Sequence, residues 1–357
     1  METSLLNADP RQVKESDFPV TGTPAEQWSF LLNYALLAPS EYNPQPWRFR
    51  VQDESVEIYA DYTRRLPVVD PQGRELLISC GAACYNLRLA ARHFGYHGLM
   101  ECFADNEQKD LLACLHFGAK QPASAQENRL FAAITRRQSN RSIYEARDVP
   151  PEKFQMLQAA AGLEGTWLEL VQDAQTRKTI AHLIVAGDRR QWADKRFRRE
   201  LATWVHPRKG GNADGLPGDV RAKGSLGEMT DPFFIRTFDL WREEAARDRQ
   251  LAAGAPLLAV LGTFNDTPGD WFMAGMAVER ILLEACASGL QTSFVNQPVE
   301  VPSLRSWLCQ AIGRKEAAQL VIRIGYGKPA PWTPRRSVRD VLVDSCPPLS
   351  EISLEQC

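Results

Sequence analysis

One pattern constrains the fold of this chain more than any other: a small-residue helix signature that occurs twice. Gly81-x-Ala83-x3-Leu87-x-Leu89-x-Ala91-x3-Gly95 returns as Gly275-x-Ala277-x3-Ile281-x-Leu283-x-Ala285-x3-Gly289, each matched position 194 residues further on. A second echo pairs Trp47-x3-Val51-Gln52-Asp53 with Trp167-x3-Val171-Gln172-Asp173, 120 residues further on. A long array of repeats would make a solenoid, each unit burying its apolar face on the next. Two copies in 357 residues predict instead two halves that share one core, an intramolecular dimer.

The copies differ as informatively as they match. The first carries Ala38-Pro39-Ser40-Glu41-Tyr42-Asn43-Pro44-Gln45-Pro46-Trp47 just before its Trp echo, where the second has only Ala161-Gly162-Leu163-Glu164-Gly165-Thr166. Conversely, the second copy opens with Ile134-Thr135-Arg136-Arg137-Gln138-Ser139-Asn140-Arg141, and nothing like it precedes Trp28. Each half lacks what the other keeps.

Local signals give the elements. Residues 1–24 are a polar lead without periodicity, read as an extended or poorly ordered arm. Trp28, Leu31, Leu32 and Ala35 recur at helical spacing over 25–37, and Pro39, Pro44 and Pro46 force 38–46 into a loop. Trp47–Val51 alternates like a strand, with Val56–Ala60 as its hairpin partner. The repeated signatures predict helices over 74–94 and 270–288, whose small residues let a partner backbone approach closely. They are expected to pack on each other across the pseudo-twofold. Residues 112–117 and 319–324 read as closing strands. The second copy departs from the first chiefly over 188–254. There a basic helix, 188–200, reads as a solvated face. It is followed by Gly210, Gly211, Gly215, Gly218, Gly224 and Gly227 and the apolar Phe233-Phe234-Ile235. A long glycine-rich loop with its own anchor is expected to act as a lid.

The loop 38–47 and the segment 137–141, in this order around small-residue helices, resemble the FMN-dependent nitroreductase family, from about Trp28 to Arg336. The resemblance is closest to the fused, single-chain branch that includes the mycobacterial Acg-type proteins. In the homodimeric members each flavin lies at the subunit interface and takes these two elements from opposite subunits. The resemblance implies an α+β, nitroreductase-like fold of two pseudo-symmetric halves, each a mostly antiparallel sheet with flanking helices. Half A would be 25–125 and half B 126–340, with the lid insertion at about 188–254 and a tail from 341 to 357. One chain would supply both elements of a single site, so a monomer or weak oligomer is expected.

The family match also assigns roles. Arg137 and Ser139 fall at its phosphate-binding positions, with Gln138 between them, and Arg335 and Arg336 where it places a further basic ligand; a phosphate dianion favours such charge-assisted, bidentate donors. Arg141 stands where the family sets a cation against the flavin N1 and C2 carbonyl, tuning its potential. Ser40, Asn43 and Gln45 would bond the ring edge; Pro46 completes the loop, and Trp47 either packs under it or stacks on the ring. Phe294, Asn296 and Gln297 belong to the segment that faces N5. The family commonly has Pro-x-Glu-Gly there, so the pocket above N5 is expected to differ. No side chain is expected to be catalytic in its own right. The implied activity is two-electron, ping-pong reduction of a small nitro or quinone-type substrate, with NADH or NADPH as donor. The alternative is a protein that sequesters FMN under its lid with little turnover.

Other classes find no support. No Gly-x-Gly-x2-Gly follows a strand, and His93 and His97 lack convergent partners for a metal, so no metal is expected. A net charge of −2 carries no footprint for nucleic acid or an anionic membrane. No apolar run reaches the ~20 residues that span a bilayer, and Met1–Phe18 lacks the apolar core of a signal peptide. A cytoplasmic protein whose cysteines are buried and free is the expectation.

Overall fold

The computed structural model describes residues 6–103, 109–206, 211–217 and 232–344. Helix α1 (Pro24–Ala35) starts where Thr23 and Glu26 form a reciprocal capping box with proline at the first helical position, which satisfies backbone donors that the helix cannot. After the loop come β1 (Trp47–Gln52) and β2 (Ser55–Ala60), then α2 (Arg74–His93), β3 (Met100–Cys102), β4 (Leu111–His116) and α3 (Ala125–Ile134). The second part runs α4 (Pro151–Gly162), β5 (Trp167–Val171), α5 (Ala174–Ala193), α6 (Lys195–Thr203), α7 (Pro232–Thr237) and α8 (Trp241–Ala253). It closes with β6 (Leu257–Thr263), α9 (Pro268–Ala287), β7 (Gln291–Phe294) and β8 (Ala317–Gly325).

The strands form two four-stranded antiparallel sheets with one plan. The first has order β1-β2-β4-β3 and the second β5-β6-β8-β7. Trp47 and Trp167 each open the edge strand of their sheet, opposite Ala60 and Gly262. Between the sheets lie α2 and α9, buried along nearly all their length. They meet where the repeated signature starts. A Cβ on Gly81 would stand 2.0 Å from the Phe272 carbonyl oxygen, and one on Gly275 would stand 2.0 Å from that of Ile78. The two glycines are there because any side chain would push the helices apart.

The two offsets, 194 and 120, differ by 74 residues, and the structure shows where these fall. β1 and β2 are joined by the turn Asp53–Glu54, whereas β5 and β6 are joined by everything from 172 to 256. The excursion therefore begins well before residue 188, at α5. The expected basic helix is two helices broken at Asp194, whose carboxylate caps α6 by accepting from Arg196 N at 2.8 Å. Arg196 and Arg199 are solvated, but Arg198 is buried and donates to the Trp192 carbonyl. The excursion has its own core, in which Trp192, Phe197, Leu201, Leu216, Ile235 and Leu240 pack with Tyr42, Leu66 and Val69 of the first half.

Of the apolar anchor, only Ile235 is buried; Phe233 is 53% exposed. The two are 200° apart on a helix of 3.6 residues per turn, so they face opposite ways. Gly210, Gly218, Gly224 and Gly227 of the expected lid lie outside the described residues. The N-terminal arm also differs from expectation. Phe18 is buried against Phe94, their rings stacked 4.2 Å apart, a single aromatic anchor within a polar stretch. Cys80 and Cys84 are buried and free, and four further free cysteines are half-buried.

Candidate functional site: a cleft between the halves

A continuous cleft runs between the loop 38–46, the segment 137–142, the end of β7 and the excursion. The loop is held in an unusual shape, with Tyr42, Asn43 and Gln45 all at positive φ of 53–60°. Non-glycine residues adopt this region at a cost, and do so where surrounding structure overdetermines them. Asn43 Nδ2 donates to the carbonyls of Gly215 and Pro334, each at 3.1 Å. Gln45 Nε2 donates to Ala213 O at 2.9 Å, and Gln45 Oε1 accepts from Arg336 N at 2.9 Å. Ser40 Oγ accepts from Gln45 N at 3.0 Å.

These bonds sort the loop residues. Ser40 and Asn43 line the cleft. Gln45 is fully buried and spent on the protein, as is the Pro46 carbonyl, which accepts from Asp61 N and Cys80 Sγ. Trp47 is fully buried in the main core. Gln45, Pro46 and Trp47 thus support the loop and do not line the cleft.

The opposite wall is positioned by a buried arginine that the motifs did not single out. Arg323 on β8 is 1% exposed and donates to Ser293 Oγ and to the carbonyls of Asn140, Ser142 and Leu251. One side chain therefore fixes the 139–142 segment, the end of β7 and α8 together. Ser139 pairs with Thr292, and Asn140 N donates to Thr292 O at 2.8 Å. Gln138, Ser139 and Arg141 consequently face the cleft.

The third element is the chain after β8, which crosses back to the first half. Leu342 bridges Phe49 on β1, and Val343 N donates to Phe49 O at 2.9 Å. The crossing carries Thr333 and Arg335 into the cleft with Trp332. Arg336 does not enter; its guanidinium donates to the carbonyls of Gln45 and Asp340.

The electrostatics change along the cleft. One end is lined by Arg137, Arg141, Arg247 and Arg335, with no carboxylate among its described lining residues. Arg137 is 4% exposed and its Nε lies 3.2 Å from Glu279 Oε1, a buried carboxylate on α9. Burial pushes the Glu279 carboxyl up, and Arg137 opposes that. The carbonyl of Leu37 accepts from both Arg137 and Arg335, at 2.7 and 3.3 Å. Arg335 Nη1 is engaged by Asn43 Oδ1 and Thr333 Oγ1, but its buried Nε has no hydrogen-bond partner. Burial, then Arg137 and Arg11, push the Arg335 guanidinium down to about 9. A guanidinium stays charged under ordinary conditions, so the shift marks a cation short of counter-charge.

The other end is acidic. Asp188, Gln191, Asp248, Glu300 and Glu41 line it beside Phe294, Asn296 and Gln297. Gln297 Nε2 bridges Asp188 Oδ1 and Asp248 Oδ2 at 3.1 and 2.6 Å. Burial first, then the Asp248 charge, push the Asp188 carboxyl up to about 9. Asn296 is turned to the protein, its Oδ1 accepting from Val321 N at 3.0 Å. Sequence reasoning reached the N5 segment but not these acids, because the excursion that supplies Asp188 and Asp248 has no counterpart in the first half.

No protein-family model matches the chain. It is 29% identical over 323 residues to the Mycobacterium tuberculosis (strain H37Rv) protein named "Putative NAD(P)H nitroreductase Rv3131", covering 89% of this chain and 91% of that one. It is 26% identical over 317 residues to "Putative NAD(P)H nitroreductase acg" of the same organism, covering 86% and 92%. Among solved structures it aligns with the FMN and NADPH-dependent nitroreductase NfnB (13% identity, 59% and 96% of the two chains, TM-score 0.39). A nitroreductase with bound FMN from Desulfitobacterium hafniense aligns at 15% identity over 63% and 97%, TM-score 0.37. The resemblance to nitroreductases of the single-chain Acg type, read first from two motifs, thus extends over most of the chain. Among the described residues, no helix is long and apolar enough to cross a membrane.

Proposed function

We propose that this chain is an FMN-binding oxidoreductase that takes electrons from NADH or NADPH and reduces a small nitro or quinone-type substrate. Its halves would act as a fused dimer that keeps one flavin site. The observation that carries this reading is the meeting, in one cleft, of the loop that only the first half has and the arginine segment that only the second half has. The basic end suits a phosphate dianion: Arg335 Nε is a buried donor without a partner, and the guanidinium charge exceeds the single carboxylate of Glu279. The relatives' names support the reductase chemistry and the donor.

Arg137 and Arg335 would hold the phosphate, with Ser139 and Gln138 beside them. Arg141, which lines both the basic and acidic stretches, would set its charge against the ring. Asn43 and Ser40 keep the loop shaped for the cofactor rather than donating freely to it. Bound FMN would supply hydride exchange at N5, next to the Phe294–Gln297 segment. Leu216, Arg247 and Leu251 from the excursion form one wall of the cleft, and this placement favours the second reading, a protein that sequesters FMN. A reducing cytoplasm suits both.

Stopped-flow mixing of the FMN-loaded protein with NADH or NADPH separates the two. Bleaching of the flavin absorbance within seconds, and its return on adding a quinone, supports the reductase. Flavin that neither nucleotide bleaches would leave a protein that holds FMN without turning it over.

A further inference from the structure

We propose that Asp188 is the proton donor for the substrate's half-reaction, a carboxylic acid that hands its proton to the oxygen anion left when a quinone-type substrate takes a hydride in the cleft. This role rests on the reductase reading and adds the group that completes its chemistry. Asp188 stands on α5, within the excursion that has no counterpart in the first half, so a resemblance that implies no catalytic side chain does not cover it. Helix α5 packs tightly onto the turn after β7: a Cβ on Gly187 would stand 2.6 Å from Gln297 Cβ. That contact seats Asp188 beside the Phe294–Gln297 segment, and with Ser293 and Phe294 it lines the acidic end of the cleft. The acidic and basic stretches meet at Arg141, Leu216, Arg247 and Leu251. A molecule reduced over that segment is therefore open to Asp188 directly or through one water.

Two observations single out Asp188 among the acids near it. Its Oδ1 and Asp248 Oδ2 accept from the same Gln297 amide nitrogen, at 3.1 and 2.6 Å, so the two carboxyls share one donor and repel when both are charged. Asp188 is also 2% exposed, where Asp248, Glu244 and Glu300 are half-buried, and its Oδ2 is buried with no hydrogen-bond partner. An ionised oxygen left in that state is costly. The same oxygen carrying a proton is a donor without an acceptor, and a substrate oxygen supplies one. Burial first, then Asp248 and Glu244 on α8 and Glu300 on the short helix Gln297–Glu300, push the carboxyl up to about 9, while the Gln297 hydrogen bond opposes them. The cations lining this stretch are Arg141 and Arg247, the latter 3.8 Å from Glu244. A carboxyl so placed is a neutral acid at neutral pH, the state that can donate.

The step balances with no further reagent. Hydride from the reduced cofactor carries two electrons and one proton to the quinone and leaves one of its oxygens as an anion. The Asp188 O–H bond then breaks, its proton joins that oxygen, and the hydroquinone departs from a carboxylate. Solvent in the cleft returns the proton before the next turnover. Hydride passing from the nucleotide to the cofactor draws no proton from Asp188, so the acid acts in one half-reaction only.

The FMN-loaded chain should be reduced with dithionite, freed of excess reductant and mixed without oxygen with menadione in a stopped-flow cell, between about pH 6 and pH 10. Return of the flavin absorbance should be level near neutrality and slow as pH rises through about 9, where Asp188 loses its proton. Asp188→Asn should slow that return roughly tenfold to a hundredfold at pH 7 and remove the fall with pH, while bleaching by NADPH stays as fast as in the parent. Glu243→Gln, exposed on α8, should change neither. The infrared spectrum of the flavin-free parent at pH 7 should contain a protonated-carboxyl band, shifted in D2O, that Asp188→Asn lacks. Identical carboxyl bands in parent and variant, or a variant reoxidised with the parent's rate and pH profile, overturns the proposal. Failure of NADH and NADPH to bleach the flavin would count instead against the reductase reading, since dithionite still loads the electrons and menadione still tests Asp188.

Discussion

The cleft and the pocket on the other side of the repeated helices both set arginines against a buried carboxylate, yet the excess of positive charge is larger in the cleft. Before β1 the chain spends residues 36–46 on a loop, whereas before β5 it has only 163–166. In the counterpart, lined by Tyr85, Arg88, Arg280 and Glu164, the short loop brings the buried Glu164 against two arginines. Its Oε1 lies 2.6 Å from Arg88 Nη2 and 3.0 Å from Arg280 Nη1. Tyr85 stands where the cleft has Glu279, 194 residues on. The carboxylate of the counterpart is thus satisfied from both sides and supports packing. The cleft sets Arg137, Arg141, Arg247 and Arg335 around the single carboxylate of Glu279, whereas the counterpart matches Arg88, Arg92 and Arg280 with Glu164 and Glu127, so more positive charge is left for a ligand in the cleft. The difference teaches that a site is closed less by losing residues than by letting its charges find each other.

The strongest way to break the comparison is to break the axis that relates the two regions. Gly275→Ala puts a methyl group onto the Ile78 backbone, which cannot retreat as a side chain could. A loss of about 3 kcal/mol is expected, at the upper end of overpacking costs. Gly162→Ala, where a Cβ meets nothing within 4 Å, should leave the denaturant midpoint nearly unchanged. Equal effects would mean that α2 and α9 do not cross at the repeated glycines.

Next come the charges themselves. Arg335→Ala should weaken FMN by roughly tenfold to a hundredfold, a loss of about 1.5–3 kcal/mol for a charge-assisted contact, and should spare riboflavin. Arg335 gives a cleaner reading than Arg137, because Arg137→Ala also strands the buried Glu279. Arg136, exposed and one residue outside the motif, should tolerate alanine without loss of FMN. In the counterpart, Glu164→Gln should lower stability by about 1–3 kcal/mol, since breaking a buried pair leaves its partners uncompensated, and leave FMN affinity as it was. FMN loss from Glu164→Gln would contradict the separation of the two regions.

Much of this contrast was legible in the sequence. The repeated glycines predicted the helix crossing, and the complementary losses predicted that one site would draw on both halves. Ser40, Asn43, Arg137, Gln138, Ser139, Arg141 and Arg335 all line the cleft. Gln45, Trp47 and Arg336 belong to the same motifs but serve the loop and the core, because a motif records which residues occur together and not which face the ligand. Arg323, Asp188 and Glu279 were illegible for another reason. Each acts through partners 30 or more residues away, within elements whose local pattern signals only strand or helix.

Smaller effects sharpen the account at the boundary between the basic and acidic stretches. Arg141→Gln should lower the flavin midpoint potential by about 30 mV for each ~1.4 kcal/mol of lost discrimination in a two-electron couple. A redox titration with FMN still bound and no shift would remove Arg141 from this role. The acidic stretch gives a pH dependence. Asp188, raised to about 9 in the folded chain, keeps a proton that the unfolded chain releases above its ordinary value of 3.8. The folded state therefore binds more protons across that window, and stability falls as pH rises through it. Asp188→Asn should flatten the decline between pH 5 and pH 8 by about 1 kcal/mol or more, as read from denaturant midpoints in EDTA.

The central claim is that one chain holds one flavin, between its own halves. Saturating the purified chain with FMN, removing the excess, and measuring flavin absorbance against protein concentration, with molar mass by light scattering, tests it directly. The account predicts one FMN per chain, bound by species that include the monomer. Two FMN per chain, or flavin bound only when two chains associate, would contradict it.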